Sequence, residues 1–197
     1  MNYLLEYVNE IEKGNIIVGQ DLKTELDKLV ADLNNPKFIF DETPGQLRID
    51  FIEKFCKHTK SPFNGMPFIL ELWEKAFLQT AYGFKYASTG LRRFNEVILL
   101  IARKNGKTTF VAGIDLAEFF LSKGGVDIVC ASNTNDQASI LFEEINNMRE
   151  HSKALSKPKR SRKNIFYIYS PKNKNKIKKL SGQSRNLDGF NIEVGCI

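Results

Sequence analysis

The sequence predicts an α/β fold in which a parallel sheet is flanked by helices and preceded by an all-helical N-terminal region. Two observations lead to this prediction. Apolar residues recur at helical spacing through the first third of the chain, and short apolar runs rich in Val and Ile then alternate with helical stretches. Strand, helix, strand, helix in that order is typical of a β-α-β unit, whose two strands are parallel.

Residues 1–66 form the helical N-terminal region of this prediction. Helices are expected over Tyr3–Lys13, over residues 22–33 and over Gln46–His58, because Leu, Ile, Val and Phe recur there at spacings of three and four. Asn35 precedes Pro36 and should end the second helix, since a residue before proline avoids helical dihedral angles. A fourth helix is expected from Leu70 onward, inside a second domain that we place at residues 67–197.

The second domain carries the predicted sheet. We expect buried strands over Asn95–Ala102 and Val126–Ala131, each followed by a helix, at Lys107–Leu121 and Asn135–Glu150. A hairpin should follow, with strands Ile165–Ser170 and Lys176–Leu180, and then a last buried strand over Asn191–Ile197. A sheet that stops at this strand suggests a truncated domain.

Charge is concentrated in one segment. The net charge is +6, but 12 of the 29 Lys and Arg residues lie between His151 and Leu187, which contains no acidic residue, so the rest of the chain is net acidic. This distribution predicts a local contact with a polyanion. Lys172, Lys174, Lys176 and Lys178, interleaved with aromatic residues, are the candidate nucleic-acid contacts. The alternative is a solvated, mobile surface loop.

The sequence argues against a membrane-spanning protein, a secreted protein and a protein built on disulfides or zinc. The longest apolar run, Val97–Ala102, is six residues, far below the roughly 20 needed to span a bilayer. The N-terminus lacks a secretory signal pattern. Cys56, Cys130 and Cys196 show neither CxxC spacing nor a nearby histidine, which favours structural thiols in a reducing compartment over disulfides or a zinc site.

The segment with the clearest chemistry is Ala102-Arg103-Lys104-Asn105-Gly106-Lys107-Thr108-Thr109. A phosphate-binding loop needs converging backbone N–H groups, a helix N-terminus behind them and a lysine that reaches the phosphates. Gly106 permits close approach, Lys107 supplies the charge, and the Thr108 hydroxyl is suited to Mg²⁺. The usual first glycine is replaced by Ile101. The alternative is an ordinary strand-to-helix turn that begins with a basic residue.

These residues resemble the large terminase subunits of tailed bacteriophages. The resemblance rests on the Arg103–Thr108 loop and on several other segments in the same order, namely Phe38–Asp41, Pro67–Trp73, Arg92–Phe94, Asp136–Ala138 and Leu187–Asn191. It implies a P-loop NTPase-like fold with an ATPase domain. In this family, the ATPase domain is N-terminal to a nuclease domain.

The resemblance also implies roles for individual residues. Arg103 and Lys107 would be catalytic, and Thr108 would ligate Mg²⁺. ATP would contact a set made up of Lys104, Asn105, Gly106, Lys107, Thr108, Thr109, Trp73 and Glu74. Arg103 could instead be a solvated charge, and Trp73 could be a core residue. Glu74 stands where the family has glutamine, and a carboxylate cannot donate a hydrogen bond to adenine as an amide can.

The partners that the resemblance implies are double-stranded DNA, the small terminase subunit and the portal protein, with a homo-oligomeric ring in the full-length protein. The location would be the cytoplasm of the bacterial host. An Asp-Glu pair that the family places after the last strand is missing here, so we expect ATP binding without hydrolysis, and no DNA cutting. The alternatives are another P-loop translocase or helicase, and a non-catalytic nucleic-acid-binding protein with a vestigial loop.

Overall fold

The computed structural model of the protein describes residues 1–164, 167–181 and 191–196. Within it the chain forms two compact units. The first contains Met1–Asp50 and Leu70–Leu100, and the second contains Phe51–Ile69 and Ile101–Ile197. Residues 187–190 of the family-like segment, together with Ile165, Phe166 and Ile197 of the predicted strands, lie outside the described residues.

The first unit is mainly helical. Its helices are α1 (Tyr3–Glu12), α2 (Gln20–Asp32), the beginning of α3 (Thr43–Phe55) and α4 (Leu72–Gly83), which match the four predicted helices. It also contains a short antiparallel ladder between β1 (Phe38–Phe40) and β2 (Phe84–Tyr86). The prediction that residues 1–66 are all helical is therefore wrong at β1. Pairing with a strand more than 40 residues away leaves no signal in the local pattern.

A buried glutamine organises the core of the first unit. The Gln79 side chain is fully buried; its Oε1 accepts the Tyr3 N–H over 2.8 Å, and its Nε2 donates to the Met1 carbonyl over 2.9 Å. Beside it, α3 and α4 pack backbone against backbone at Gly45. A Cβ added at Gly45 would lie only 2.5 Å from the Gln79 Cα, so this approach requires glycine. The buried apolar residues of the cluster around α1 and α4 are Leu4, Tyr7, Leu26, Ala76 and Phe84.

The second unit is a five-stranded sheet with two long helices. Its elements are α5 (Lys107–Leu121), β3 (Asp127–Ser132), α6 (Asn135–His151), β4 (Arg162–Lys163), β5 (Tyr167–Tyr169), β6 (Lys176–Ser181) and β7 (Ile192–Cys196). The strand order is β4-β5-β6-β3-β7. β3 is parallel to both β6 and β7, whereas β4, β5 and β6 pair antiparallel. The sheet is thus mixed, not parallel as predicted, because the hairpin adds its strands in alternating direction.

Helix α5 is the central element of the second unit. It begins and ends at the residues predicted, but it is buried on nearly all sides and not only on one apolar face. The buried set includes two acidic residues, Asp115 and Glu118, which helical periodicity does not single out. A helix enclosed in this way is held in place by its neighbours over its buried length, from Phe110 to Phe119.

The predicted strand over Asn95–Ala102 is wrong. These residues form no strand, and the Ile98 and Leu100 side chains are 95% and 93% exposed. An apolar run reports a tendency to become buried, but a strand also requires a neighbouring edge with which to pair. Within the described part of the chain, no strand pairs with this run.

The last predicted strand exists but is not buried. β7 lies at the edge of the sheet and pairs with β3 on one side, and its Ile192 side chain is 54% exposed. Its apolar composition alone did not distinguish an edge strand from a central one. None of the helices in the described ranges is long and apolar enough to span a bilayer.

Candidate phosphate-binding loop

The loop between Ala102 and α5 has the backbone of an anion-binding turn. Lys104 and Gly106 have φ angles of 69° and 74°, whereas Asn105 between them has a negative φ. Alternation of this kind turns successive N–H groups toward one side of the chain. The glycine is needed at position 106, because side chains rarely adopt its left-handed conformation. Residues 102–107 are exposed, so the loop is open to a ligand.

The head of α5 is free to bind an anion. Gly106 is the N-cap and provides no side-chain oxygen to the first N–H groups of the helix, which lack partners within the helix itself. The helix dipole adds a partial positive charge at the same place. Lys107 is the first helical residue, followed by Thr108 and Thr109. This arrangement fits a phosphate group, and a cation bound to that phosphate could take the Thr108 hydroxyl as a ligand.

Thr109 has a partner inside the protein. Its hydroxyl donates to Oε1 of Glu144 on α6 over 3.4 Å, and the same oxygen accepts the Thr59 hydroxyl over 2.6 Å. Glu144 is a buried residue that the sequence did not single out. Its position on a helix rich in charged and amide residues resembles that of its exposed neighbours, so only its burial in the structure identifies it.

Trp73 and Glu74 lie at the start of α4, in the first unit. Trp73 is half-buried against the apolar cluster of that unit, as the alternative interpretation of this residue expected. Glu74 is buried and completes a capping box, in which its Oε2 accepts the Glu71 N–H over 2.8 Å. Burial raises the pKa of the Glu74 carboxyl to about 7. The structure therefore shows a helix-capping contact for Glu74.

The four candidate lysines are in two different environments. Lys172 and Lys174 are exposed in the turn of the β5–β6 hairpin. Lys176 and Lys178 are half-buried on β6, where the Lys176 ammonium lies 5.6 Å from the centre of the Tyr167 ring and Lys178 pairs with Asp127 over 3.0 Å. The turn lies at the C-terminal end of α5, where the Asn175 side chain donates to the Phe119 carbonyl. The helix, 15 residues or about 22 Å long, therefore separates the turn from the 103–108 loop.

A buried acid in the middle of α5 was missed by the sequence analysis. Asp115 is fully buried, and its two oxygens accept hydrogen bonds from the Cys196 thiol over 3.3 Å and the Cys130 thiol over 3.9 Å. Burial raises the pKa of the Asp115 carboxyl to about 7 and that of both thiols well above their usual range. The described residues contain no group of three or more His, Cys, Asp or Glu side chains suited to a metal ion.

The fold and the loop together define an α/β domain with a Gly-Lys-Thr turn at the head of its central helix. Comparison with known proteins identifies the class more closely. The family model described as "Terminase large subunit, ATPase domain" matches residues 72–197. The chain therefore belongs to the family of terminase large subunit ATPase domains.

Two relatives agree with this assignment. The chain is 36% identical over 102 residues to a protein named "Terminase, large subunit" from Enterobacteria phage HK97, an alignment that covers 51% of this chain and 19% of that protein. It is also similar to the crystal structure of the HK97 bacteriophage large terminase, with a TM-score of 0.60 and 27% identity over 74% of this chain and 29% of the other. The chain thus spans less than a third of the length of either relative.

Proposed function

We propose that this chain is the ATP-binding part of a viral DNA-packaging motor, a terminase large subunit that couples ATP to DNA translocation. We assign the nucleotide site to residues 67–197 and infer that this domain is of the P-loop NTPase type. The observation that carries the proposal is the exposed 103–108 loop, whose alternating backbone leads into the uncapped N-terminus of α5. Membership of the terminase ATPase family supports the same function.

The residues of the loop would have different roles in nucleotide binding. Lys104, Asn105 and Gly106 would direct backbone N–H groups at the β-phosphate, and the Lys107 ammonium would neutralise the β/γ-phosphates. The Thr108 hydroxyl would ligate Mg²⁺, which shields the phosphate charge when it is bound. Arg103, exposed before the turn, would stabilise charge that develops on the γ-phosphate, a role in which arginine contributes about 10³ to 10⁵ in rate.

We propose Trp73 and Glu74 as contacts to the adenine end of the nucleotide because of the family resemblance. Both side chains have structural roles in the first unit, in the core and in the helix cap respectively. Binding affinity should therefore depend on the phosphates more than on the base, and ATP and GTP should bind the chain with similar affinity.

DNA is the proposed second ligand. Lys172 and Lys174 are exposed and are suited to bind the phosphates of the DNA backbone. Such contacts do not depend on base sequence, and a motor that moves a whole genome requires contacts of this kind. As a terminase large subunit, the full-length protein would act in the host cytoplasm with a small subunit and a portal protein, and would assemble as a ring.

Calorimetric titration of the chain with MgADP and MgATP measures nucleotide affinity and so tests the nucleotide site. We expect saturable binding by the wild-type chain and loss of at least about tenfold in affinity for Lys107→Ala, since one charge-assisted contact to phosphate contributes roughly 1.5–3 kcal/mol. Lys123→Ala is the matched control, because Lys123 is an exposed lysine just beyond the opposite end of α5. Equal affinities for wild type and Lys107→Ala would contradict the proposal.

A further inference from the structure

Helix α6 carries a buried carboxylate with three donors around it. The Glu144 side chain is 2% exposed. Its Oε1 accepts the Thr59 and Thr109 hydroxyl groups over 2.6 and 3.4 Å, and its Oε2 lies 3.2 Å from the Lys60 ammonium. Burial of an ionised carboxylate is unfavourable unless such partners satisfy it. The three contacts explain how the charge is tolerated, and they join three separate parts of the second unit.

The three partners differ in where they lie. Thr59 and Lys60 follow the end of α3, in the segment that contributes residues 51–69 to the second unit. Thr109 is the third residue of α5 and lies directly after the two residues proposed to bind phosphate and Mg²⁺. Glu144 therefore connects the first turn of α5 to the segment that contains Thr59 and Lys60.

We propose that Glu144 is a positioning residue for the phosphate-binding loop, an inference that rests on the nucleotide-binding function proposed above. It acts through Thr109, whose hydroxyl it holds, and so keeps the first turn of α5 oriented with Lys107 and Thr108 toward the ligand. In this arrangement Thr109 orients the turn, and the metal-ligating hydroxyl is that of Thr108 alone. Glu144 itself does not touch the nucleotide.

Nucleotide affinity tests this role. In the full 197-residue chain, Thr109→Val, which removes the donor, and Glu144→Met, which removes the acceptor, should each weaken MgADP binding about three- to tenfold, the effect of one lost hydrogen bond. Thr109→Ser keeps the hydroxyl and should bind as the wild type does. The double variant Thr109→Val/Glu144→Met should bind no more weakly than Glu144→Met, because both changes break the same contact.

The matched control is Glu143→Met. Glu143 is the neighbouring acid on α6, but it is half-exposed and pairs with Lys163, so its substitution should leave MgADP affinity unchanged. Wild-type affinity in Thr109→Val and Glu144→Met would overturn the inference, and so would losses that multiply in the double variant. Thr109→Val leaves the buried carboxylate with two donors, so it remains informative if Glu144→Met does not fold.

Hydrogen exchange without nucleotide separates this inference from the function on which it rests. The Phe110 N–H donates to the Gly106 carbonyl over 2.9 Å and reports the first turn of α5. Exchange over residues 107–112 should be faster in Thr109→Val and Glu144→Met than in wild type or Glu143→Met. Absence of MgADP binding by the wild type would refute the proposed function alone, whereas unchanged exchange in both variants would refute the role of Glu144.

Discussion

The side-chain amide of Asn175 donates to the carbonyl of Phe119 over 2.9 Å, which fastens the β5–β6 turn to the end of α5. The Oδ1 atom of the same side chain accepts the Val126 N–H over 3.2 Å. Asn175 is fully buried, and the neighbouring Gly125 N–H donates to the Asn173 carbonyl over 2.8 Å. The turn that carries Lys172 and Lys174 is therefore held against the second unit.

Asn175→Ala should destabilise the protein. It leaves the buried Phe119 carbonyl and Val126 N–H without these partners, and each such group costs about 1–3 kcal/mol. We expect the free energy of unfolding, measured by urea denaturation, to fall by about 2–4 kcal/mol. Asn173→Ala is the control, since Asn173 contacts Gly125 through its backbone. Equal losses in the two variants would contradict the role given to the Asn175 side chain.

Reversal of the two exposed turn charges tests the DNA contact. If Lys172 and Lys174 each neutralise one phosphate, Lys172→Glu/Lys174→Glu should weaken duplex binding and reduce the slope of log K against log salt by about two. Fluorescence anisotropy with a labelled duplex at several salt concentrations measures both quantities. Lys23→Glu/Lys28→Glu makes the same charge change on the exposed face of α2. An unchanged slope in the turn variant would mean that these lysines are only solvated surface.

Stability should depend on pH through Asp115. Burial raises the pKa of this carboxyl from 3.8 to about 7 in the folded protein. As pH rises, the carboxyl therefore loses its proton at a lower pH in the unfolded state than in the folded state. Asp115 thus favours folding below pH about 4, and this contribution is lost progressively as pH rises to about 7. Between pH 5 and 8, the free energy of unfolding of wild type should fall relative to Asp115→Asn by about 1–3 kcal/mol.

Urea denaturation at the two pH values measures this difference. Asp27→Asn is the control, because it makes the same change of side chain at an exposed position on α2. Parallel stability curves for wild type and Asp115→Asn would show that the buried carboxyl does not titrate in this range.

Glu74 should act as a helix cap. Glu74→Ala removes the acceptor of the Glu71 N–H and should lower the free energy of unfolding by about 0.5–2 kcal/mol. Glu74→Gln keeps a carbonyl oxygen at that place and removes a buried acid whose pKa is raised to about 7. The glutamine variant should therefore be at least as stable as wild type at pH 8, as measured by thermal unfolding. A loss as large as that of the alanine variant would argue against the capping role.

Much of the secondary structure follows from local sequence. Each of the six helices in the described ranges was predicted, α5 at both ends, because the apolar spacing that defines a helix lies within a few turns of chain. The β5–β6 hairpin was also predicted. The break before α5 follows from Gly106 and the helical pattern after it, so the position of the candidate loop could be predicted without coordinates.

Strand pairing and the burial of charged residues depend on tertiary structure and could not be predicted from local sequence patterns. The apolar run over residues 95–102 satisfies every local criterion for a strand, yet no strand pairs with it in the described chain. The burial of Asp115 and Glu144 likewise depends on contacts with residues 15 to 85 positions away along the sequence. Periodicity determines which residues tend to be buried, but strand pairing and the partners of buried charges are set by the elements that pack against them.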